Sequence, residues 1–386
     1  MMQQHWIQRW QLFAGWITLF IIGTDLFVVS PLLPSIAEQF HIEPSKAGWM
    51  VTAFSIMYAL GAPWFGALSD KWGRRKMIVY GLIGFAAANM ITGFAAAFPL
   101  LVGSRVLAGL SASMITSSIF AITGDVAPEG KGGRWLSIVT SGFLTALWSG
   151  TPLGTIADQV FGWRVIFFAL ALATILLAVF NAQIWPKKSG QAQPAKSAAP
   201  GEGKLGKILV NVAVTMFWAG AVYGLYTYLG TGLKSARDFS SEMVAAALVV
   251  YGIGAIIGSL SGGRLADFWN ARVVSIGSLL IMSISLALIG FLFNTGWWLW
   301  PLLGIWSFAG YVSFSSFQAS LTVRFPYELG SAMAWNQTAM YIGITLGSIL
   351  GNWVLGKWVF LTLPVICSLV ALLGVVWFTF LTAKKV

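Results

Sequence analysis

The chain has 386 residues, of which 58% are hydrophobic and 9% are charged, whereas a soluble globular domain carries about 25% charged residues. A water-soluble fold of this composition would expose large apolar patches, so we expect the chain to fold in a lipid bilayer. The net charge of +11 does not indicate a nucleic-acid partner, because the basic residues lie in short loops between apolar segments.

The sequence offers few residues for covalent or metal chemistry. Cys367 is the single cysteine, which excludes an internal disulfide and a cysteine-based metal cluster. The two histidines, His5 and His41, lie outside the apolar segments. An intramembrane enzyme would need histidines, cysteines or paired carboxylates that converge within the membrane. We therefore expect neither a metal site nor an enzyme.

Twelve apolar segments are long enough to cross a membrane as helices, which takes roughly 20 residues each. The first stays apolar from Leu12 to Leu33 and has no small-residue cleavage site, so we expect it to be retained and not removed as a signal peptide. None alternates as the strands of a membrane β-barrel do. The predicted spans are residues 11–33, 46–69, 76–97, 99–123, 134–157, 163–185, 207–230, 241–263, 271–293, 297–321, 329–355 and 357–382.

The lysines and arginines of the loops predict the orientation of the chain. Seventeen of them lie on the side of both termini and five on the other side. Because basic loops stay in the cytoplasm, we expect both termini to be cytoplasmic and the protein to reside in a bacterial-type inner (cell) membrane. The five basic residues on the outer side are Lys46, Arg164, Lys234, Arg237 and Lys357.

A segment without apolar periodicity separates the sixth span from the seventh. Residues 186–207 are rich in Pro, Gly, Ala, Ser and Lys, which is typical of a flexible linker. The sequence therefore predicts an N-terminal six-helix half (1–185), a cytoplasmic linker (186–206) and a C-terminal six-helix half (207–386). Two such halves are the layout of transporters built from parallel repeats.

The loop between the second and third spans carries the most specific motif. It reads GALSDKWGRRK and resembles, at every defining position, the signature loop G-x-L-[SA]-D-[RK]-x-G-R-[RK] of the major facilitator superfamily. A glycine permits a tight turn, and arginines hold a loop in the cytoplasm. The resemblance implies a twelve-helix fold of two pseudo-symmetric halves, in which the aspartate faces an arginine or the N-terminus of the eleventh span. The motif residues are Gly66, Asp70, Gly73, Arg74 and Arg75.

A weaker copy of this loop follows the eighth span. Gly263 and Asp267 repeat the spacing of the first glycine and the aspartate, and Arg272 is retained. Asn270 replaces the second glycine, and one arginine is missing. The copy indicates an internal repeat of about half the chain, and we interpret both loops as a conformational gate.

The fourth and fifth spans carry two further motifs of the superfamily. Arg105 to Gly109 is similar to its R-x-x-x-G motif, and GTPLGT in the fifth span looks like the antiporter motif in its sugar- and purine-efflux variant. The common drug-efflux form has the proline directly after the first glycine and ends in two glycines. The resemblance to drug carriers is therefore looser. The small residues and proline of this span are Gly142, Gly150, Pro152 and Gly154.

Small residues recur at every fourth position in three spans, which lets helices approach closely. In the resembled fold, the fifth span packs against the eighth and the second against the eleventh, across the interface between the halves. We therefore predict that these stripes line that interface and let the halves rock. They are Gly142, Ala146, Gly150 and Gly154 in the fifth span, Gly254, Gly258 and Gly262 in the eighth, and Ala339, Gly343, Gly347 and Gly351 in the eleventh.

Two charges are predicted to lie inside the membrane, Asp25 in the first span and Arg105 in the fourth. At 1.5 Å per residue, Asp25 lies roughly 21 Å from the cytoplasmic end of its span and Arg105 roughly 9 Å from the outer end of its own. Both therefore reach the outer half of a core about 30 Å thick. A charge at mid-membrane costs about 2.5–3.5 kcal/mol, so each needs a partner or a purpose.

We predict that Asp25 takes up and releases a proton. Burial in general favours a neutral carboxyl group, whereas a nearby guanidinium favours the carboxylate, so access or substrate could tip the balance. In the resembled fold, both spans line the central cavity, and either residue could also bind substrate. The alternative is a static ion pair between Asp25 and Arg105 that only fixes the first span to the fourth.

The second half offers aromatic and neutral polar side chains instead of charges. Tyr223 and Tyr226 in the seventh span, Gln318 in the tenth and Asn336 in the eleventh are candidate contacts for a planar or hydroxylated solute. The alternative is that each makes a helix-packing hydrogen bond.

Together, the resemblance implies a monomeric carrier that exports a small organic solute (a drug, a sugar, or a purine or nucleoside) in exchange for protons, by alternating access and without another cofactor. One alternative is an uptake symporter or facilitator of the same fold. The alternatives from another class are an intramembrane enzyme and a non-transporting sensor. A sensor usually has an added soluble domain, and no stretch of this chain is long enough to form one.

Overall fold

The computed structural model describes residues 2–128, 132–187, 202–325 and 329–383, with side chains except at 2–5, 70, 133, 202–204, 329–330 and 382–383. Helices account for 92% of the structure, and the described part contains no β-strand. The predicted all-α membrane fold is confirmed. A chain that crosses lipid as separate helices satisfies its backbone hydrogen bonds within each helix.

One helix or helix pair corresponds to each predicted span. The elements are α1 (Met2–Gln39), α2 (Pro44–Ala47), α3 (Trp49–Trp72), α4 (Arg74–Phe94), α5 (Phe98–Val126), α6 (Gly132–Thr145), a π-helical segment (Ala146–Gly150), α7 (Thr151–Phe161), α8 (Trp163–Ile184), α9 (Glu202–Arg237), α10 (Ser241–Trp269), α11 (Ala271–Leu292), a 3₁₀ turn (Gly296–Trp298), α12 (Leu299–Arg324), α13 (Leu329–Leu355) and α14 (Thr362–Ala383).

Ten helices of the described part are long and apolar enough to cross a membrane. The two remaining predicted spans have local reasons for falling short. The fifth is divided by the π-helical segment into α6 and α7, of 14 and 11 residues. The tenth, α12, contains serines and tryptophans that lower its mean hydropathy. Twelve helical passes fit the fold of the resembled family.

The predicted linker lies mostly outside the described residues, which resume at residue 202. Within the described part, α9 begins at Glu202, five residues before the predicted start of the seventh span. Helix α1 likewise extends beyond its predicted span at both ends. The division into halves at the linker stays a prediction.

The chain forms two compact units. Unit 1 comprises Met1–Val29 and Ala53–Lys196, and unit 2 comprises Ser30–Thr52 and Ser197–Val386. The boundary therefore falls inside α1 and again inside α3. The segment between these points, residues 30–52, belongs to the same unit as α9 to α14.

Within each unit the helices are joined by closely packed pairs and by hydrogen bonds between small polar side chains. In unit 1, α4 packs against α5 and α8; in unit 2, α10 and α11 pack against α12, and α9 packs against α13 and α14. Such hydroxyl pairs satisfy polar groups that lipid could not satisfy. Examples are Thr92 with Ser104 at 2.7 Å, Ser275 with Ser316 at 2.8 Å, and Ser283 with Ser368 at 3.1 Å.

Two of the five basic residues predicted on the outer side bind the carboxyl ends of helices. Arg164 donates to the carbonyl oxygens of Gly93 and Ala95, both at 2.8 Å, where α4 ends. Arg237 donates to Phe293 O at 2.7 Å and to Gly296 O at 3.0 Å, just after α11 ends. A cation at a helix C-terminus satisfies free carbonyl groups and interacts favourably with the helix dipole.

Candidate functional site

The two predicted intramembrane charges form an ion pair inside unit 1. Arg105 Nη1 donates to Asp25 Oδ1 at 3.0 Å, and Arg105 Nη2 donates to Asp25 Oδ2 at 2.6 Å. The side chains are 1% and 0% exposed, respectively. This two-pronged geometry is the strongest that a guanidinium and a carboxylate can adopt. The pair joins α1 to α5. The matching depths predicted only that the two residues reach the same level of the membrane.

Aromatic rings surround the guanidinium group of Arg105. Its carbon lies 5.0 Å from the ring centre of Phe54 on α3 and 5.8 Å from that of Phe167 on α8. These distances permit cation–π attraction. The third nitrogen of the group, Arg105 Nε, is buried and has no hydrogen-bond partner among the described residues. The guanidinium therefore depends on Asp25 for its hydrogen bonds.

Gly109, one helical turn after Arg105, fixes the position of α3 against α5. A Cβ atom at Gly109 would overlap the backbone carbonyl group of Phe54. Only glycine allows such a close approach of two helix backbones. The R-x-x-x-G motif thus provides both the charge and the close contact that holds Phe54 next to it.

The antiporter-like motif packs against the part of α1 that contains Asp25. Between α6 and α7 the helix widens, because the N–H group of Thr151 bonds to Ala146 O, five residues earlier. Pro152 lacks an N–H group and would clash with a carbonyl group four residues before it, which explains the local π-helical turn. A Cβ atom at Gly150 would overlap the side chain of Thr24, the neighbour of Asp25. The motif therefore packs directly on the segment that carries the buried acid.

The small-residue stripes do not have the predicted partners, because each packs against a helix of its own unit. The stripe of the fifth span faces α1: a Cβ at Gly142 would overlap Trp16 O, and one at Gly154 would overlap Val28. In unit 2 the stripe of α10 faces α12, where a Cβ at Gly258 would overlap Phe308 O. These glycines contact helices of their own unit. For them, the prediction that the stripes line the interface between the halves is wrong.

The small-residue stripe of α13 also packs against a helix of its own unit, α9. A Cβ at Gly343 would overlap Met216 O, and one at Gly347 would come within 2.5 Å of Gly220 O. Glycine spacing shows that a second backbone comes close, but it does not identify which one. Contact between backbones suits permanent helix pairs, since it leaves no side chain to rearrange.

The signature loop makes its turn at Gly73, as predicted. Gly73 has φ +95° and separates α3 from α4. Arg74 pairs with Asp125 and donates to Ala121 O at 2.7 Å, both near the end of α5, and Arg75 donates to Trp185 O at 3.2 Å, just after α8. The loop is thereby tied to the ends of two other helices of unit 1.

Other residues of this loop are less informative. The side chain of Asp70 lies outside the part of the chain that the structure describes. A Cβ at Gly66 would meet no atom within 4 Å, so packing does not require glycine there. The acid that pairs with Arg74, Asp125, was not among the predicted site residues. In the sequence, Asp125 is distinguished only by its position, as an acidic residue at the cytoplasmic end of the fourth span.

The second loop copies the first in backbone shape. Asn270 has φ +95° and ψ +119°, close to the φ +95° and ψ +123° of Gly73. Its side chain accepts a hydrogen bond at 2.9 Å from the N–H group of Arg272. Asp267 is exposed, and a Cβ at Gly263 would meet no atom within 4 Å. Asparagine is among the non-glycine residues that best tolerate positive φ, which explains the replacement.

We expect Gly73→Asn to keep the thermal stability of the protein and Gly73→Val to lower its free energy of unfolding by about 1–3 kcal/mol. Asn270 adopts the required backbone angles in the second loop, whereas a β-branched residue at positive φ is strained. Melting of the purified protein in detergent measures the difference. Gly66→Val is the control, because its Cβ would have open space. Equal melting temperatures for all three variants would contradict this account.

Two of the candidate solute contacts belong to an aromatic cluster in unit 2. The hydroxyl groups of Tyr223 and Tyr311 are 3.2 Å apart, and the ring centre of Tyr226 lies 5.0 Å from that of Tyr251. The sequence prediction missed Tyr251 and Tyr311, which come from α10 and α12. The cluster consists of Trp218, Tyr223, Tyr226, Tyr251, Trp306 and Tyr311, all buried.

The other two candidates have separate environments. Asn336 is buried, and its Oδ1 accepts a hydrogen bond at 2.5 Å from Thr215. Its Nδ2 has no partner among the described residues. Gln318 is half-buried on α12. For Asn336, the alternative of a helix-packing hydrogen bond therefore holds for the amide oxygen but not for the amide nitrogen.

Comparison with known proteins agrees with the signature loop. The family model described as Major Facilitator Superfamily matches residues 15–327 and 208–385. Three relatives from Bacillus subtilis (strain 168) carry the description "uncharacterized MFS-type transporter". YbcL is 26% identical over 343 residues, covering 89% of this chain and 88% of that protein. YceJ is 27% identical (86% and 85% covered), and YtbD is 28% identical (87% and 86% covered).

Solved structures share the fold at low identity. A bacterial homologue of the human lysosomal transporter Spinster, in an inward-facing and occupied conformation, has a TM-score of 0.74 at 14% identity, with 96% of each chain covered. The human organic anion transporter MFSD10 has a TM-score of 0.72 at 17% identity, covering 96% of this chain and 99% of that one. Given the family match and this shared fold, the chain belongs to the major facilitator superfamily and is a transporter of that superfamily.

Proposed function

We propose that this transporter exports a small organic solute across the cell membrane in exchange for protons, with Asp25 as the proton-binding group. The observation that carries the proposal is the buried ion pair between Asp25 and Arg105. Among the residues whose burial is described, these are the only buried charged side chains. Ionisable groups at this depth are expensive to keep and commonly serve proton or substrate transfer.

Protonation would change the contacts between two helices. When Asp25 takes up a proton, its carboxyl group becomes neutral and the charge of Arg105 loses its counter-ion. An uncompensated buried guanidinium is strongly unfavourable, so α1 and α5 would then favour an arrangement that hydrates Arg105 or gives it another acceptor. Release of the proton restores the pair. This cycle converts a proton gradient into a preference between two conformations of unit 1.

The efflux direction and the type of solute rest on other features. The packing of the antiporter-like motif against Thr24 supports exchange, because it places Gly150 next to the proton-binding segment. The aromatic cluster supports a solute with a planar or hydroxylated part. We further propose a monomer with both termini in the cytoplasm and with protons as the coupling ion. The solute itself is a sugar, a purine or nucleoside, or a lipophilic drug.

Everted membrane vesicles that are acidified inside test the proposal. A pH-sensitive dye reports the gradient while sugars, purines, nucleosides and lipophilic cations are added one class at a time. We expect one class to dissipate the gradient in vesicles with the unchanged chain and not in vesicles with Asp25→Asn. Glu38→Gln is the matched control, because it removes the same charge from an exposed position on the same helix.

The outcomes separate the alternatives. Gradient-driven transport that persists in Asp25→Asn would contradict the role of Asp25 and leave the ion pair as a static clamp. Solute movement in the direction of the protons would identify an uptake symporter instead. Solute that equilibrates without affecting the gradient would identify a facilitator.

A further inference from the structure

Two arginines lie at the same end of unit 2. Arg272 is in the first turn of α11, and Arg324 is the last residue of α12. The two helices are paired just inside this end, where Ser275 Oγ and Ser316 Oγ are 2.8 Å apart and Ser313 Oγ donates to Ser275 O at 3.1 Å. From this pairing, Arg272 is three residues and Arg324 eight residues toward the end. At 1.5 Å per residue the arginines are therefore roughly 7 Å apart along the helix axes, which two arginine side chains can bridge.

The positive charges of these arginines act on each other. Arg324 lies three residues beyond the predicted end of the tenth span, where burial and the charge of Arg272 lower the pKa of its guanidinium. An arginine nevertheless stays protonated in a protein. Helix α11 does not compensate Arg272, because the helix dipole disfavours a positive charge in the first turn. The arginine pair is therefore unfavourable for unit 2 unless an anion lies close to it.

No carboxylate among the described residues balances this pair. Asp267, five residues before Arg272, is exposed and forms an ion pair with neither arginine in the described part of the chain. Arg324 Nη1 donates to the side-chain oxygen of Asn211, and the guanidinium carbon lies 5.6 Å from the ring centre of Phe378. Both partners are neutral. They hold the guanidinium of Arg324 in place without neutralising its charge.

The side chains beside the arginines are apolar and exposed. Val273 and Val323, their neighbours in the sequence, are 61% and 80% exposed. Trp269, at the end of α10, is 72% exposed, and exposed tryptophans are typical of the level of the lipid headgroups. Apolar side chains that a membrane protein exposes contact acyl chains. An anion between the arginines would therefore lie where a phospholipid has its phosphate group.

A phosphate group also matches the donors that are available. A guanidinium presents a planar fork of N–H groups that binds two oxygen atoms of a phosphate. The side chain of Arg272 makes no hydrogen bond within the described part of the chain, and Arg324 uses Nη1 for Asn211. Basic clusters at the ends of transmembrane helices are a known means of binding anionic headgroups. The geometry, the charge and the apolar surroundings all favour the same ligand.

We propose that Arg272 and Arg324 bind the phosphate group of an anionic phospholipid, whose acyl chains contact the exposed apolar side chains beside them. The lipid supplies the negative charge that this end of unit 2 lacks, and Asn211 and Phe378 position Arg324 for it. The inference goes beyond the proposed function. It rests on the chain being a membrane protein and not on proton coupling, the solute or the orientation of the termini.

Titration of the purified full-length protein in a neutral detergent tests the site. Phosphatidylglycerol provides an anionic phosphodiester with acyl chains. Phosphatidylcholine provides the same group with a compensating cation, and inorganic phosphate provides an anion without acyl chains. The rise of the melting temperature with ligand concentration gives each dissociation constant. We expect phosphatidylglycerol to bind about ten-fold more tightly than either of the others, because only it combines a net charge with acyl chains.

Arg272→Gln is the most informative variant, because the side chain of Arg272 makes no hydrogen bond in the described structure that the change would break. We expect two effects of opposite sign. Without lipid, the melting temperature should rise, because the repulsion between Arg272 and Arg324 is removed. The affinity for phosphatidylglycerol should fall about ten-fold, which corresponds to the loss of one charge-assisted hydrogen bond.

Two further variants separate charge from geometry. Arg324→Lys keeps the charge and loses the planar fork, so it should weaken the binding of phosphatidylglycerol less than Arg324→Gln does. Arg264→Gln is the matched control. It removes the same charge from an exposed position at the same end of unit 2, and it should leave the affinity unchanged.

Four results would overturn the proposal. The first is an unchanged affinity for phosphatidylglycerol in Arg272→Gln/Arg324→Gln. The second is a lower melting temperature of lipid-free Arg272→Gln, which would show that Arg272 has a stabilising partner within the chain. The third is stabilisation by inorganic phosphate equal to that by phosphatidylglycerol, which would identify a site for a free anion.

The fourth result concerns Glu328, four residues after Arg324, whose side chain lies outside the described residues. If Glu328→Gln raises the affinity for phosphatidylglycerol, this carboxylate is the partner of the arginines and no lipid is needed to balance them. We expect the affinity to stay the same. None of these measurements involves transport, so their outcome is independent of the dye measurement on Asp25→Asn.

Discussion

Asp25→Asn is expected to lower the free energy of unfolding by roughly 3–5 kcal/mol, because it leaves Arg105 charged and buried without its counter-ion. An amide can accept one hydrogen bond from the guanidinium but cannot neutralise it. The phenyl rings of Phe54 and Phe167 provide only weak attraction. Unfolding in detergent, followed by thermal melting or by denaturant titration, measures the loss.

The double variant Asp25→Asn/Arg105→Gln separates stability from proton coupling. Removing both charges eliminates the uncompensated guanidinium, and replacing a buried ion pair as a whole is often nearly neutral for stability. We therefore expect the double variant to regain most of the loss, with a large coupling energy between the two positions. It should still fail in proton-driven transport, since no group is left to bind the proton.

Two results would contradict this account. If the double variant is as unstable as Asp25→Asn, the loss comes from the packing of α1 and not from the charge. If the double variant still transports solute against a gradient, another group binds the coupling proton. Glu38→Gln again provides the matched control, since it should change neither quantity.

Gly109→Ala is expected to destabilise the protein by about 1–3 kcal/mol, the usual penalty of overpacking. The added Cβ would overlap the backbone carbonyl group of Phe54, and a backbone atom cannot rotate away as a side chain can. Helix α3 would have to move away from α5. Because Phe54 covers the guanidinium of Arg105, the displacement should also weaken the protection of the ion pair.

Gly103→Ala is the control within the same helix. A Cβ at Gly103 would meet no atom within 4 Å, and alanine favours a helix over glycine by roughly 1 kcal/mol. We therefore expect Gly103→Ala to be neutral or slightly stabilising. Thermal melting of the two variants side by side measures the difference. A loss of stability of the same size in both would contradict this account, because Gly103 has no contact that could explain it.

The spans and the common depth of the two buried charges were predictable because lipid restricts the alternatives. A segment that crosses lipid must be apolar, long and internally hydrogen-bonded, so composition alone located the helices. Asp25 and Arg105 were placed at the same depth by helix geometry, but whether they pair directly could not be predicted. The turn at Gly73, which has φ +95° in the structure, also followed from residue type, because a glycine permits a tight turn.

Contacts that depend on three-dimensional placement were not predictable from local patterns. The spacing of Gly142, Gly258 and Gly347 showed that some helix comes close, but the partners turned out to be helices of the same unit. The ion pair of Arg74 with Asp125 joins a loop to a helix end 51 positions further along the chain. The π-helical turn before Pro152 leaves no mark on apolar periodicity.

The grouping of residues 30–52 with unit 2 illustrates the same limit. Thr52 and Ser348 are 296 positions apart in the chain, and neither has a charge or an unusual side chain. Hydroxyl groups are common in these helices, so their sequence gives no hint of which two meet. They come within hydrogen-bonding distance in the folded chain, where the preceding helix, α2, packs against α13.

The two outer arginines that bind helix ends bear on how the chain is inserted. Basic residues on the outer side oppose the charge bias that retains loops in the cytoplasm, yet Arg164 and Arg237 each satisfy two carbonyl groups. In the proposed orientation, these two positive charges cross the membrane during biogenesis. They can bind carbonyl groups only after the helices that provide those groups have been inserted. The order in which hairpins leave the translocon therefore matters: α4 precedes Arg164, whereas Arg237 is translocated before α11 is made.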